Sequence, residues 1–231
     1  MCGRYLIDDE AYADLLQILN DINAIKKASG INNLSHIDNL AKGEIFPSGV
    51  APVIGTESID TVKWGFPHWQ NPSVIINARS ETALEKRMFS KPIRQRRCVV
   101  PSCGFFEWSH RSDLGSGNTD RTGLYDQSAF ESIRSSNTRK RKSKYLLRHP
   151  GRHLLYMAGF ISIFKDELGV EYAAFVILTT AASESVAPIH DRMPLILERD
   201  EIDLWNNDER FMYFALQRPG PELTAVLDSH L

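Results

Sequence analysis

Polar and apolar residues alternate, or apolar residues run on unbroken, along most of this chain, and helical spacing is confined to a few stretches. The clearest lies near the start. Residues 3–7 read as a short strand, Asp8 as an N-cap, and Asp9 and Glu10 as first-turn acids favoured by the helix dipole. Tyr12, Leu15, Leu16, Leu19 and Ile22 follow at helical spacing, Lys26 and Lys27 occupy the last turn, and Gly30 ends the helix. The chain is then loop-like as far as Gly43. Val50–Ile54 and Ile59–Trp64 read as strands around a Gly55-Thr56-Glu57-Ser58 turn, and 74–77 as another. Ser80 is expected to cap a short helix ending near Met88. The strongest strand patterns are the β-branched and aromatic runs 98–100, 154–164 and 172–180. Two short helices, 200–206 and 209–216, close the pattern.

Many strands, few helices and no regular β-α alternation predict an α+β fold: a single domain, 1–231, built on a barrel-like, mostly antiparallel sheet with flanking helices. One segment departs from the pattern. From about 110 to 143 the chain is rich in Ser, Gly, Asn, Asp and Arg and lacks periodicity, as in a flexible insertion at a hairpin tip. It runs into Arg139-Lys140-Arg141-Lys142-Ser143-Lys144, which reads as a solvated surface loop or as a phosphate contact.

Composition narrows the class. With 231 residues, 42% hydrophobic and 24% charged, the chain is that of an ordinary globular protein with a full core. A net charge of −2 means that any nucleic-acid site must be a local patch. Three cysteines, with no apolar leader in the opening ten residues, predict a cytoplasmic protein without disulfides. Cys98 and Cys103 are too far apart for a Cys-x-x-Cys pair, so neither a zinc ribbon nor a cofactor is expected. No apolar run approaches the length of a membrane span.

Cys2 is the most informative residue. Removal of Met1 would leave one residue bearing both a free α-amine, of reference pKa about 7.7–8.0, and a thiol, of about 8.5. Such a 1,2-aminothiol condenses with an aldehyde to an imine, and the sulfur then closes a thiazolidine. Further on, Asn77-Ala78-Arg79-Ser80-Glu81-Thr82 sets an amide and a guanidinium at a strand end, suited to an anion or to a structural salt bridge. Glu107 lies among Phe105, Phe106 and Trp108. Facing inward it would be desolvated and its pKa raised for proton transfer; strand alternation equally permits it to face outward. Cys98 reads as a buried strand residue. Ala187-Pro188-Ile189-His190-Asp191-Arg192-Met193-Pro194 is a proline-stiffened loop offering a histidine. The aromatic stretch Trp64-Gly65-Phe66-Pro67-His68-Trp69 is either core or a platform on which bases stack.

Taken in order, MCGR, NARSET, RRCVVPSCGFFEW and IHDRMP resemble the four hallmark motifs of the SOS response-associated peptidase (SRAP) family, the abasic-site processing proteins. The WGFPHW stretch and Thr179-Thr180 fit the same resemblance, which extends over nearly the whole chain. It implies a barrel-like α+β domain with a positively charged groove for single-stranded DNA, and suicidal capture of abasic sites as a thiazolidine crosslink. By matching motif, Cys2 is the nucleophile, Asn77 holds the new N-terminus, Glu107 is the acid/base, and His190 assists opening of the deoxyribose ring. Arg4, Arg79 and Arg192 would bind phosphates, with Trp64, Trp69 and Thr180 also facing DNA. A monomer associated with the nucleoid is expected. Where the family often has Tyr-Asn-x-x-Pro, this chain has Glu44-Ile45-Phe46-Pro47, and the Ser/Gly-rich insertion after Trp108 is longer than the resemblance leads one to expect.

Two other functions use the same residues. An N-terminal-nucleophile cysteine hydrolase or autopeptidase would direct the thiol at an amide and turn over. A non-catalytic reader of damaged DNA would use only the arginines and tryptophans.

Overall fold

A computed structural model describes residues 2–29, 41–109 and 143–228. Its interior is organised by two long strands, β11 (Leu155–Lys165) and β12 (Glu171–Ala181), paired antiparallel in one hairpin. Their inner halves are buried on both faces, which is why the sequence there reads as continuous apolar runs rather than alternation. β8 (Arg97–Ser102) pairs with β11, β3 (Val50–Ile54) with β8, and β4 (Ile59–Trp64) with β3. β4 then pairs parallel with β12 at Lys63 and Trp64, and the ring is closed. The closed, mixed barrel with flanking helices is the α+β architecture expected from the pattern.

Two features extend the barrel towards the residues of interest. Past β4, the same edge of β12 is taken over by β7 (Asn77–Arg79), again parallel, so that Asn77 lies opposite Ile177 and Arg79 opposite Thr179. The other edge of β12 accepts β13 (Arg192–Pro194), with Arg192 opposite Ala181. β8 continues, after a bend at Cys103, as β9 (Gly104–Trp108), which leaves the barrel for a second sheet. In that sheet β9 pairs with β1 (Arg4–Ile7) and with β10 (Lys144–Arg148); β2 (Gly43–Ile45) and β15 (Thr224–Leu227) lie outside them. β9 and β10 are antiparallel neighbours, and the predicted insertion, which lies outside the described residues but for its final Ser143, connects them.

The first helix, α1 (Asp9–Ala28), has the predicted N-cap: the Asp8 side chain accepts the Ala11 amide at 3.0 Å, and Ala11, Leu15 and Leu19 form its buried stripe. Ser29 is its C-cap; Gly30, expected to end the helix, and residues 31–40 lie outside the described residues. Two expectations need correction. The strand expected at 74–77 is divided, because the Ile76 carbonyl accepts the Trp64 indole and the Ile177 amide. Only β6 (Val74–Ile75) pairs with β5 (Phe66–Pro67), while Asn77 begins β7. Ser80 does not start a helix, since its amide prolongs the β7 ladder to the Thr179 carbonyl at 2.8 Å. Turns follow, and the helix α2 (Arg87–Gln95) forms later, anchored by buried Phe89 and Ile93 one turn apart.

A short 3-10 turn (Arg199–Glu201), α3 (Ile202–Asn207) and α4 (Glu209–Ala215) close the barrel from outside. The Trp205 indole donates to the Cys98 and Gly159 carbonyls at 3.0 and 3.3 Å. Buried Arg97 donates to the Ile93, Arg94 and Asn206 carbonyls and to that of Trp205, binding α2 and α3 to β8. No helix among the described residues is long and apolar enough to cross a membrane.

At Gly159 the β11–β12 hairpin approaches so closely that an added Cβ would lie 2.7 Å from the Val176 carbonyl oxygen. Gly159→Ala is therefore expected to destabilise the protein by about 1–3 kcal/mol, read as a lower urea midpoint; an unchanged midpoint would mean that the hairpin is not held at that spacing.

Candidate active site

The sequence places Cys2 immediately before β1, and β1 is held between β2 and β9. Cys2 is fully buried. Its carbonyl accepts the Asn77 side-chain amide at 2.8 Å, a bond across 75 residues of sequence that joins the N-terminal segment to the end of the barrel. The other half of that amide, Asn77 Oδ1, is buried with no hydrogen-bond partner among the described residues. The Tyr5 hydroxyl and Thr179 Oγ1 are buried in the same condition. Buried polar atoms are nearly always paired in folded proteins, so such a group at one end of a barrel points to a ligand or to water.

Glu107 faces inward: it is 2% exposed, while its neighbour Trp108 is partly open. Burial is the main reason that its pKa is raised, and the negative charge of Asp191 adds to the effect; a backbone hydrogen bond at Trp108 pulls the other way. The Cys2 thiol is also pushed up, first by burial and then by the charge of Glu107. Cys2, Glu107 and the His190-Asp191 loop thus interact electrostatically although they come from the two ends and the middle of the chain. His190 is mostly buried, and its Nδ1 lies 2.9 Å from both the Arg192 amide and Asp191 Oδ1. The amide requires Nδ1 as an acceptor and the carboxylate requires a proton there, so the two contacts belong to different proton placements on one ring.

Two of the three arginines are already paired with carboxylates. Arg4 pairs with Glu44 at 3.0 Å, its guanidinium packed over Phe46 (4.6 Å) and Trp108 (5.1 Å). Arg192 makes a two-pronged pair with Glu81, at 2.6 and 2.8 Å, and also donates to the Thr179 carbonyl. That pair holds the Glu81 carboxyl below its ordinary range. Arg79 is exposed at the end of β7, and its charge also acts on Glu81. Thr180 is 7% exposed. Trp69 stands in solvent at 78% exposure. Trp64 does not. It is fully buried, stacked against Phe175 and tilted on Tyr5, with its indole committed to Ile76, so no face remains for a base. The expectation that Trp64 contacts DNA is corrected accordingly.

Sequence reasoning missed three participants. Tyr5 faces inward beside Trp64, as the period-2 pattern of β1 would have indicated. Glu81 was legible as part of a motif, but not as the partner of Arg192, 111 residues away. Lys144, read as the end of a solvated basic run, is 6% exposed, lies over the Phe106 ring and pairs with Glu44 and Asp228 at 2.9 and 3.0 Å. Arg139 to Lys142 fall outside the described residues.

Residues 1–217 match the SOS response associated peptidase (SRAP) family. The chain belongs to that family. Among curated relatives, it is 27% identical over 237 residues to the abasic site processing protein YoqW of Bacillus subtilis, covering 94% of this chain and 87% of that one. It is 31% identical over 153 residues to the abasic site processing protein YedK of Escherichia coli, covering 65% and 56%. A solved protein from Bacteroides thetaiotaomicron superposes with a TM-score of 0.68 at 22% identity, over 99% of this chain and 93% of that one. Another, from Bordetella bronchiseptica, gives 0.66 at 16% identity, over 99% and 100%. These two likenesses are of fold.

In this SRAP protein a buried carboxylate with a raised pKa costs stability whenever it is ionised. The raised group is neutral in both states below its unfolded pKa, about 4.3, and the cost is complete above the folded value. Glu107→Gln is thus expected to raise the melting temperature at pH 7–8, the gain disappearing as pH falls towards 4. A gain that does not depend on pH would show that Glu107 is not desolvated.

Proposed function

We propose that this SRAP protein captures abasic sites in single-stranded DNA, forming a covalent thiazolidine between Cys2 and the ring-opened deoxyribose once Met1 is absent. The observation that carries the reading is the enclosed group itself: Cys2 held by Asn77, with a desolvated Glu107 near enough to shift the thiol. The names of its relatives, abasic site processing proteins, support the same substrate.

The raised thiol pKa determines the order of steps. At neutral pH the sulfur carries its proton, so the α-amine, with an ordinary pKa near 8, is the first nucleophile. It adds to the aldehyde carbon of the opened sugar, giving a carbinolamine. Protonated Glu107 donates to the carbinolamine hydroxyl, which leaves as water, and the carbon–nitrogen double bond forms. The Cys2 sulfur then attacks the carbon of the protonated imine; the thiol proton returns to the Glu107 carboxylate, the nitrogen keeps its own N–H, and the five-membered ring closes. Overall one C–N and one C–S bond form and one water is lost. Asn77 orients the amine by fixing the Cys2 carbonyl. His190 would protonate or deprotonate the sugar hydroxyls as the ring opens, the role its two-state Nδ1 environment suits.

Strand binding follows from the arginines and Trp69. A phosphate reaching Arg192 has to displace Glu81, so this carboxylate sets how strongly DNA is held before reaction. Trp69 is the exposed aromatic on which a base beside the gap would stack, at about 1–3 kcal/mol per contact. The reading places the protein in the cytoplasm, on the nucleoid when bound.

The deciding experiment is intact mass spectrometry of untagged protein incubated with single-stranded DNA bearing one abasic site, beside Cys2→Ala. The expected product is heat-stable, of the mass of protein lacking Met1 plus DNA less one water, and absent from the variant. No adduct from protein shown to lack Met1 would overturn the reading and favour a hydrolase that turns over. Glu81→Gln is expected to tighten binding to undamaged single-stranded DNA and to steepen its salt dependence, by about 0.7 in log K against log salt for one added phosphate contact. Unchanged or weaker binding would remove Arg192 from the phosphate ligands.

A further inference from the structure

Three side chains with metal-ligand chemistry converge at a place that the reaction above does not use. The carboxylate of Asp8, the sulfur of Cys103 and a ring nitrogen of His153 each place one atom within 4.8 Å of the other two. They come from separate parts of the chain: the N-cap of α1, the bend between β8 and β9, and the loop leading into β11. We infer that Asp8, Cys103 and His153 form a binding site for a single zinc ion, with water as its fourth ligand.

The surroundings fit this role in several respects. His153 Nε2 is 2.8 Å from Asp8 Oδ1, and on the far side of the ring Nδ1 is 3.5 Å from Glu10 Oε2. A carboxylate behind a metal-binding imidazole is the usual means of fixing its tautomer. Cys103 is fully buried, and its sulfur lies 3.3 Å from the Leu6 carbonyl. Burial pushes this thiol up to about 11, so without a cation it stays protonated. His153 is 23% exposed and also lines a cavity of about 230 Å³ with Asp14, Gln17 and Tyr156, so the cluster is reached from the imidazole side. Thiolate with imidazole selects zinc over magnesium or calcium. Around a tetrahedral zinc ion such ligand atoms stand about 3.3–3.6 Å apart, so Asp8 and His153 would separate by about half an ångström while the Cys103 sulfur moves in from a cluster whose atoms lie within 4.8 Å.

One neighbour opposes a metal. Arg148 Nη2 is 3.6 Å from Asp8 Oδ2 and 3.9 Å from Cys103 Sγ. Its guanidinium supplies the positive charge that the carboxylate calls for. The side chain is 35% exposed and has room to turn out to solvent when the ion arrives. On binding, Zn–O, Zn–S and Zn–N bonds form, the thiol proton is released to water, and the imidazole proton moves to Nδ1, facing Glu10. The ion would then tie the end of β1 to the bend that leads into β9. Those are the strands that bring Cys2 and Glu107 together.

The test is a titration of the full chain with cobalt(II), read by its thiolate-to-metal charge-transfer band and tetrahedral d–d bands. One cobalt per chain, displaced by zinc, is expected. The charge-transfer band should vanish in Cys103→Ser and persist in Cys2→Ser, and affinity should fall at least tenfold in His153→Asn. Absence of the band, or a band that survives Cys103→Ser, would overturn the inference. Should Cys103→Ser fail to fold by circular dichroism, His153→Asn decides: unchanged cobalt affinity there overturns it equally.

Discussion

Everything in this molecule depends on β12 being paired along both edges. One edge carries β4 and then β7 in parallel; the other carries β11 and then β13 in antiparallel. Parallel pairing cannot be made by a tight turn, so β4 and β7 must return to β12 after long excursions. The handover at Ile76 is what allows it. Its carbonyl accepts both the Trp64 indole and the Ile177 amide, ending one pairing and starting the next. Asn77, Arg79 and Arg192 then emerge at one end of the barrel on either side of β12, because their strands are already in register there.

The second sheet brings the chemistry to that end. β9 is the continuation of a barrel strand and β1 lies beside it, so Glu107 and Cys2 are delivered by neighbouring strands. Both are buried, and the charge of Glu107 makes ionisation of the Cys2 thiol harder. In water a carboxylate and a thiol would titrate about four units apart and ignore one another. Enclosed together, both are raised above their ordinary values, chiefly by burial. Their burial also means that access, not intrinsic reactivity, governs what the thiol meets.

A second theme is that cations here are already engaged. Arg4 and Lys144 share Glu44, Arg192 is gripped by Glu81, and Arg148 lies against Asp8. Pairs of this kind contribute little to stability where they are exposed. Their effect is to keep each of these cations against a carboxylate. Glu44 stands in the segment where this chain departs from the usual family pattern, which gives that departure a physical meaning.

The sequence by itself determined what depends on neighbours along the chain. The N-cap at Asp8, the stripe of α1, the exact bounds of Val50–Ile54 and Ile59–Trp64, and the double-faced burial of β11 and β12 are local patterns, written at periods of 3.6 or two residues. The four motifs likewise named the family and the residues to watch. Tertiary structure alone decided which way those residues face and what they touch. Trp64 and Trp69 belong to one aromatic stretch, yet one is core and the other solvent-exposed, because only Trp64 lies on a barrel strand. Lys144 ends a basic run and is nonetheless buried between two acids. Glu81 with Arg192, and Asp8 with Cys103 and His153, meet across some fifty to 145 residues. Hydrophobic periodicity encodes burial of a face, but a contact between distant polar side chains is set by strand register and barrel closure, which no local pattern contains.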